Sequence, residues 1–134
     1  MIQIAGIDHI VLRTTRLAEM LAFYSGILGC HVERETTSEV GLTQLRAGSA
    51  LIDLVTVESQ LGEMGGGPPT GTENNVDHFC LQLIPVPEDA IRSYLESNGI
   101  KVGTFAERYG AQGLGNSIYI HDPEGNTVEL RCQI

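Results

Sequence analysis

Apolar and polar residues alternate in short runs along this chain, and the runs are interrupted twice by a stretch with helical spacing. Leu17, Met20, Leu21, Tyr24 and Leu28 fall at i, i+3, i+4, i+7 and i+11, which puts them on one face of an α-helix. The spacing predicts a helix over about 16–28, with Thr15 as its N-terminal cap and Gly29 as the residue that ends it. Ala90, Ile91, Tyr94 and Leu95 form a second stripe, with Pro87 suited to a first helical position and Gly99 as the stop. Strand candidates are 31–36, 41–47 and 50–57 after the first helix, and 101–106, 116–121 and 126–132 after the second. Asp122-Pro123-Glu124-Gly125-Asn126 joins the last two as a turn, since proline presets φ early and glycine accepts the positive φ that closes it. The opening MIQIAGIDHIVL has no basic segment and carries Asp8 and His9 inside its apolar stretch, so it reads as a strand and not as a signal peptide.

The pattern is an internal repeat. Ile7-Asp8-His9-Ile10-Val11-Leu12 recurs as Val76-Asp77-His78-Phe79-Cys80-Leu81, and Ile52-Asp53-Leu54 recurs as Val128-Glu129-Leu130. Each copy is a βαβββ module, which makes the expected fold α+β, with modules at 1–57 and 75–134. The segment 58–74 contains Gly65-Gly66-Gly67-Pro68-Pro69 and reads as the linker between them. At 134 residues the two modules together make one domain of ordinary size.

The repeat also places the candidate chemistry. His9 and His78 hold the same position in the two copies, as do Asp53 and Glu129. Were the copies related by a twofold, first-strand residues would approach one another, and so would fourth-strand residues. Side chains alternate faces along a strand, so Ile7 and Val11 would accompany His9 inward, and Thr127 and Arg131 would accompany Glu129. Two imidazoles and one or two carboxylates would then converge, the ligand set of a facial triad that leaves positions open for substrate. A cation also relieves the cost of burying a carboxylate. Asp53, one methylene shorter than Glu129, has three open roles: a direct ligand, a base or water-mediated partner, or a plain hydrogen-bonded side chain. His31 follows a helix stop and His121 precedes a turn, so both are read as surface or rim residues.

The paired Asp-His strands, Phe23-Tyr24 and Leu28-Gly29 at the first helix end, and Ile120-His121-Asp122-Pro123-Glu124-Gly125-Asn126-Thr127-Val128-Glu129-Leu130 resemble the vicinal-oxygen-chelate superfamily (glyoxalases, bleomycin-resistance proteins, extradiol dioxygenases). The resemblance spans essentially the whole chain. It implies two βαβββ modules whose curved mixed sheets form a metal-binding cup. It also implies one divalent ion (Ni, Zn, Co, Mn or Fe(II)) held by His9, His78 and Glu129, and a homodimer. Ser117 and Tyr119 match pocket positions of the fosfomycin-resistance members, whereas the lysine of those proteins is replaced at or near Tyr109.

Composition narrows the partners. The net charge of −9 with scattered basic residues excludes a phosphate-neutralising nucleic-acid face and argues against an anionic membrane surface. No apolar run approaches the ~20 residues that span a bilayer. Cys30, Cys80 and Cys132 are odd in number and widely spaced, which points to a reducing cytoplasm and to three small buried hydrophobes. Residues 107–116 are glycine-rich and read as a loop over a cavity mouth, from which Arg108, Tyr109, Gln112 and Asn116 could touch a polar substrate. The loop lacks the following helix that a nucleotide phosphate would need.

A small-molecule substrate is therefore expected, bound by Arg108, Asn116, Ser117, Tyr119 and Arg131. Three chemistries fit. The first is a glyoxalase-like metal lyase or isomerase in which Glu129, helped by Asp53, moves a proton on a substrate that chelates the metal through vicinal oxygens. The others are an iron(II) ring-cleaving type of dioxygenase and a non-catalytic small-molecule binding or resistance protein.

Overall fold

The computed structural model describes residues 1–134 and divides the chain into two compact units, Met1–Asn75 and Val76–Ile134. The first unit contains β1 (His9–Thr14), α1 (Leu17–Leu21) with a π-helical continuation (Ala22–Ile27), β2 (Val32–Glu35), β3 (Leu42–Ala47), β4 (Ala50–Thr56) and the short α2 (Gln60–Glu63). The second contains β5 (His78–Leu83), α3 (Glu88–Ser97), β6 (Ala106–Gly110), β7 (Gly113–His121) and β8 (Thr127–Cys132). Each unit forms one mixed four-stranded sheet, in the orders β1-β4-β3-β2 and β5-β8-β7-β6. The first and fourth strands are parallel because the helix carries the chain across; the remaining pairs are antiparallel. This is the βαβββ repeat, twice.

The registers of the two sheets match. Val11 pairs with Asp53 and His9 with Leu51, while Cys80 pairs with Glu129 and His78 with Thr127. In both units the histidine therefore lies two residues before the partner of the carboxylate, on the same face of the sheet. The opposite faces build the cores. In the first unit Leu12, Leu45, Ile52 and Leu54 are buried with Met20, Phe23 and Tyr24. In the second, Ile118, Ile120, Val128 and Leu130 are buried with Ile91 and Leu95 of α3. Each such side chain contributes about 1.5–3 kcal/mol when fully buried.

Several expectations are corrected. The first helix begins one residue later than predicted, with Arg16 at its N-cap, and it loosens after one turn. Leu28 N bonds to Phe23 O at 3.0 Å, five residues back, and this wider winding shifts the buried face onto Phe23 and Tyr24. Pro87 is the N-cap of α3 and not its first residue. β1 starts only at His9; Ile2, Ile4 and Ile7 precede it and are exposed, so Ile7 has no strand face. The linker is not featureless. Ser59 caps α2, accepting from Gly62 N at 3.1 Å, and both residues are buried.

The glycine-rich segment is the largest correction. It is not a loop but a hairpin of β6 and β7 closed at Gly110 and Gly113, and 101–105 is not a strand. Gly113 takes φ of 96°, which suits a tight hairpin end. Only Cys30 of the three cysteines is buried; Cys80 is exposed on the face of β5 that carries His78.

The predicted turn before β8 forms as expected. Asp122 Oδ1 accepts from Glu124 N at 3.0 Å and Asn126 N at 2.9 Å, and Gly125 closes the turn with φ of 89°. That closure sets where β8, and with it Glu129, begins.

Candidate metal centre

The sheet face opposite the core carries polar side chains in both units. In the first it carries His9 and Asp53, with Gln44 opposite Asp53 on β3. Asp53 is buried, and the Gln44 amide donates to both of its oxygens at 3.3 and 3.2 Å. His9 is half-exposed, and its Nδ1 lies 2.6 Å from Asp8 Oδ1. A carboxylate only accepts, so the proton sits on Nδ1, and Nε2 presents its lone pair outward. The bond to Asp8, reinforced by the charges of Asp53 and Asp8, raises the His9 pKa above 6.5 against the opposing effect of desolvation.

The second unit repeats this device. His78 Nδ1 lies 2.5 Å from Asp77 Oδ1, which leaves Nε2 facing Glu129 Oε2 at 3.5 Å. That spacing is too long for a good hydrogen bond. It does match two donors that share one ion, since ligands ~2.0–2.2 Å from a metal at ordinary bond angles lie roughly 3–3.5 Å apart. An imidazole nitrogen and a carboxylate oxygen are also both donors that a divalent ion accepts. The donor chemistry of this pair therefore fits a divalent ion. Neither unit by itself assembles three His, Cys, Asp or Glu side chains that could hold a metal.

Around Glu129 the polar side chains are connected. Ser117 Oγ donates to Glu129 Oε1 at 2.5 Å, and Arg108 Nη1 donates to Ser117 Oγ at 3.0 Å and to Ser117 O at 2.6 Å. The Arg108 guanidinium also lies over the Tyr119 ring at 4.4 Å, and Tyr119 meets His78 edge-on at 5.6 Å. Arg131, two residues beyond Glu129 on the same face, is buried under the hairpin and donates to Gly113 O at 2.9 Å. A Cβ on Gly110 would sit 2.0 Å from Arg131 Nη1, and one on Gly115 would sit 2.8 Å from Nη2. The glycines that suggested a flexible loop are thus where the backbone must pass close over an arginine. Cys80 shares the face, and desolvation together with the Glu129 charge pushes its thiol up to about 11.

The predicted substrate-binding residues separate. Arg108, Ser117, Tyr119 and Arg131 belong to the face that carries Glu129. Asn116 points the other way and donates to Glu88 Oε1 on α3 at 2.7 Å. Ser117 is fully buried and already committed to Glu129 and Arg108. His31 is exposed beyond the first helix. His121 is exposed at the end of β7, 3.3 Å from Thr127 Oγ1. Asp8, Asp77 and Gln44 were missed, although the Asp-His pair in each copy was itself the signal for the first two. A hollow of about 430 Å³ in the first unit, lined by residues that include Glu35, Glu39 and Glu58, contains neither His9 nor Asp53.

Comparison with known proteins agrees with this architecture. A virulence protein of Salmonella typhimurium, STM3117, is 28% identical over 124 residues, covering 92% of this chain and 81% of that one. Its crystal structure superposes with a TM-score of 0.78 over 99% of this chain and 100% of that one. Biphenyl-2,3-diol 1,2-dioxygenase 3 of Rhodococcus globerulus is 31% identical over 127 residues; the match covers 92% of this chain but only 60% of the dioxygenase. The structure of a lactoylglutathione lyase from Agrobacterium tumefaciens shares the fold with a TM-score of 0.70 at 24% identity, covering 97% of this chain and 95% of that one. The family model for glyoxalases, bleomycin-resistance proteins and dioxygenases matches residues 6–130, and the chain belongs to that superfamily.

Proposed function

We propose that the protein is a metal-dependent lyase or isomerase of this superfamily, with one divalent ion held by His9, His78 and Glu129. The observation that carries the proposal is the pairing of His78 Nε2 with Glu129 Oε2 at 3.5 Å, combined with the locking of each histidine by its preceding aspartate. The ion, when bound, supplies Lewis acidity toward two neighbouring oxygens of the substrate. Glu129 is the base that moves the proton on the adjoining carbon, and Asp53, oriented by Gln44, assists from the first unit. Tyr119 and Arg108 are the substrate contacts in this proposal, while Asn116 braces α3 and the buried Arg131 supports the hairpin instead of reaching substrate. The remaining parts are a homodimer and a cytoplasmic location. The first rests on the family and the second on three cysteines that form no disulfide.

A ring-cleaving type of dioxygenase is the second reading. It is favoured by the 31% identity to the Rhodococcus enzyme and by an aromatic hydroxyl, that of Tyr119, on the ring beside His78.

The test is metal content and its loss. His9→Ala and His78→Ala are each expected to weaken binding by at least ~10–100-fold while leaving a folded protein, as measured by equilibrium dialysis. Unchanged affinity in both variants would refute the ligand set. Native nickel, zinc, cobalt or manganese supports the lyase. Iron with oxygen-dependent turnover of a catechol supports the dioxygenase instead.

A further inference from the structure

The two units are alike in strand order and register, yet they differ in what touches the carboxylate of the fourth strand. In the second unit that contact is Ser117, two residues before the β7 partner of Glu129. The equivalent position in the first unit, two residues before Gln44 on β3, is Leu42, which has no hydrogen-bonding side chain. Asp53 is instead spanned by one amide that reaches both its oxygens at 3.3 and 3.2 Å, so neither oxygen is singled out. Glu129 receives a single short bond, to Oε1 alone, at 2.5 Å. The repeat symmetry is broken at the side chain that selects between two carboxylate oxygens.

The direction of that bond is set by proton counting. A serine hydroxyl has one proton to give and lone pairs to receive with. Arg108 is always a donor, and it takes a Ser117 Oγ lone pair at 3.0 Å while anchoring itself on Ser117 O at 2.6 Å. The hydroxyl proton is then left for Glu129 Oε1. Ser117 is fully buried, so bulk water does not compete for it. With Oε1 engaged, Oε2 is the oxygen left facing His78 Nε2 at 3.5 Å.

We propose that Ser117 is a positioning residue that makes Glu129 a one-oxygen metal ligand, with Arg108 acting through Ser117 to fix the direction of its proton. This rests on the ligand set proposed above and deepens it. A carboxylate bound through both oxygens takes up two coordination positions; held through one, it leaves a position that a chelating substrate can use. Ser117 is thereby assigned to the carboxylate and not to the substrate.

The test uses the full chain loaded with cobalt(II), whose visible absorption reports its ligand set. Wild type, Ser117→Ala, Ser117→Thr, Ser117→Val, Arg108→Met and His78→Ala are compared by cobalt titration, with circular dichroism as the check on folding. Ser117→Ala is expected to change the visible spectrum and weaken cobalt binding by about 10–100-fold, the usual effect of removing a partner of a metal ligand. Ser117→Thr restores both, because the hydroxyl returns, whereas Ser117→Val, of threonine's size without the hydroxyl, does not; equal behaviour of the two would mark a space-filling role and overturn the inference. Arg108→Met shifts the spectrum in the same direction by a smaller amount. A Ser117→Ala protein with the wild-type spectrum and affinity, alongside a His78→Ala protein that has lost cobalt, would overturn the inference alone. Should His78→Ala bind cobalt as wild type does, the ligand set itself is wrong and the inference falls with it. Were Ser117→Ala unable to fold, an unchanged spectrum in Arg108→Met would be the overturning result.

Discussion

Asp8 and Asp77 look like surface acids by exposure, yet each fixes the tautomer of the histidine beside it. For His9 this has a measurable sign. The bond to Asp8 raises the His9 pKa, so the proton on His9 favours the folded state fully below the unfolded value near 6.5, and that contribution is lost as pH rises through the higher folded value. Asp8→Asn removes the charged acceptor and should bring the His9 pKa back down. Histidine ring NMR titration of the metal-free protein reads this directly, and an unchanged midpoint would show that Asp8 does not hold the ring. Asp-His was legible as a repeated dipeptide. That the aspartate serves the adjacent imidazole was not, because alternation along a strand puts neighbours on opposite faces, and Asp8 precedes the first residue of β1.

Among the elements, the first helix departs from its sequence pattern in its winding. A 3.6-residue period describes an α-helix, and Ala22–Ile27 winds more widely, so Phe23 is buried although the stripe omitted it. Gly26 lies within that segment, and a Cβ there would meet nothing within 4 Å. Gly26→Ala should be neutral or stabilise by up to ~1 kcal/mol. Gly62 in α2 is the contrast. A Cβ there would lie 1.9 Å from Thr56 O and 2.6 Å from Val57 Cα, which are backbone atoms that cannot swing aside. Gly62→Ala should destabilise by about 1–3 kcal/mol or more. Urea unfolding of the two variants checks the pair, and equal midpoints would mean that α2 does not pack where the structure has it. Both glycines sit in helices, so helix propensity alone would rank them together. The difference lies in the return of α2 onto the end of β4.

On the scale of the whole molecule, β1 and β5 are edge strands within their own sheets and carry exposed Val11, His9, His78 and Cys80. Exposed Ile2, Ile4 and Ile7 precede β1. Unpaired edges and clustered apolar residues favour association, and closed twofold symmetry is its commonest form. The proposed homodimer predicts a sedimenting species of twice the 14.5 kDa chain mass at micromolar concentration. A species of the single chain mass alone would contradict it. No helix is long and apolar enough to cross a membrane.

The sequence by itself determined the repeat, the βαβββ succession within each half and the face that each histidine and carboxylate occupies. These follow from periodicity and local chemistry, and a one-residue slip would turn the whole apolar set of a strand outward. Asp122-Pro123-Glu124-Gly125-Asn126 was equally legible, because the turn makes its own hydrogen bonds. Only the tertiary structure decided which polar groups are spent on one another. Arg108 and Asn116 in the glycine-rich segment and Ser117 just after it all read as substrate contacts, but pairing that segment into a hairpin turned Asn116 toward α3 and buried Ser117 between Arg108 and Glu129. Glycine has no side chain to declare which face it frees. Whether it gives flexibility or room for an arginine depends on what lies beneath it, and at Gly110 and Gly115 that is Arg131.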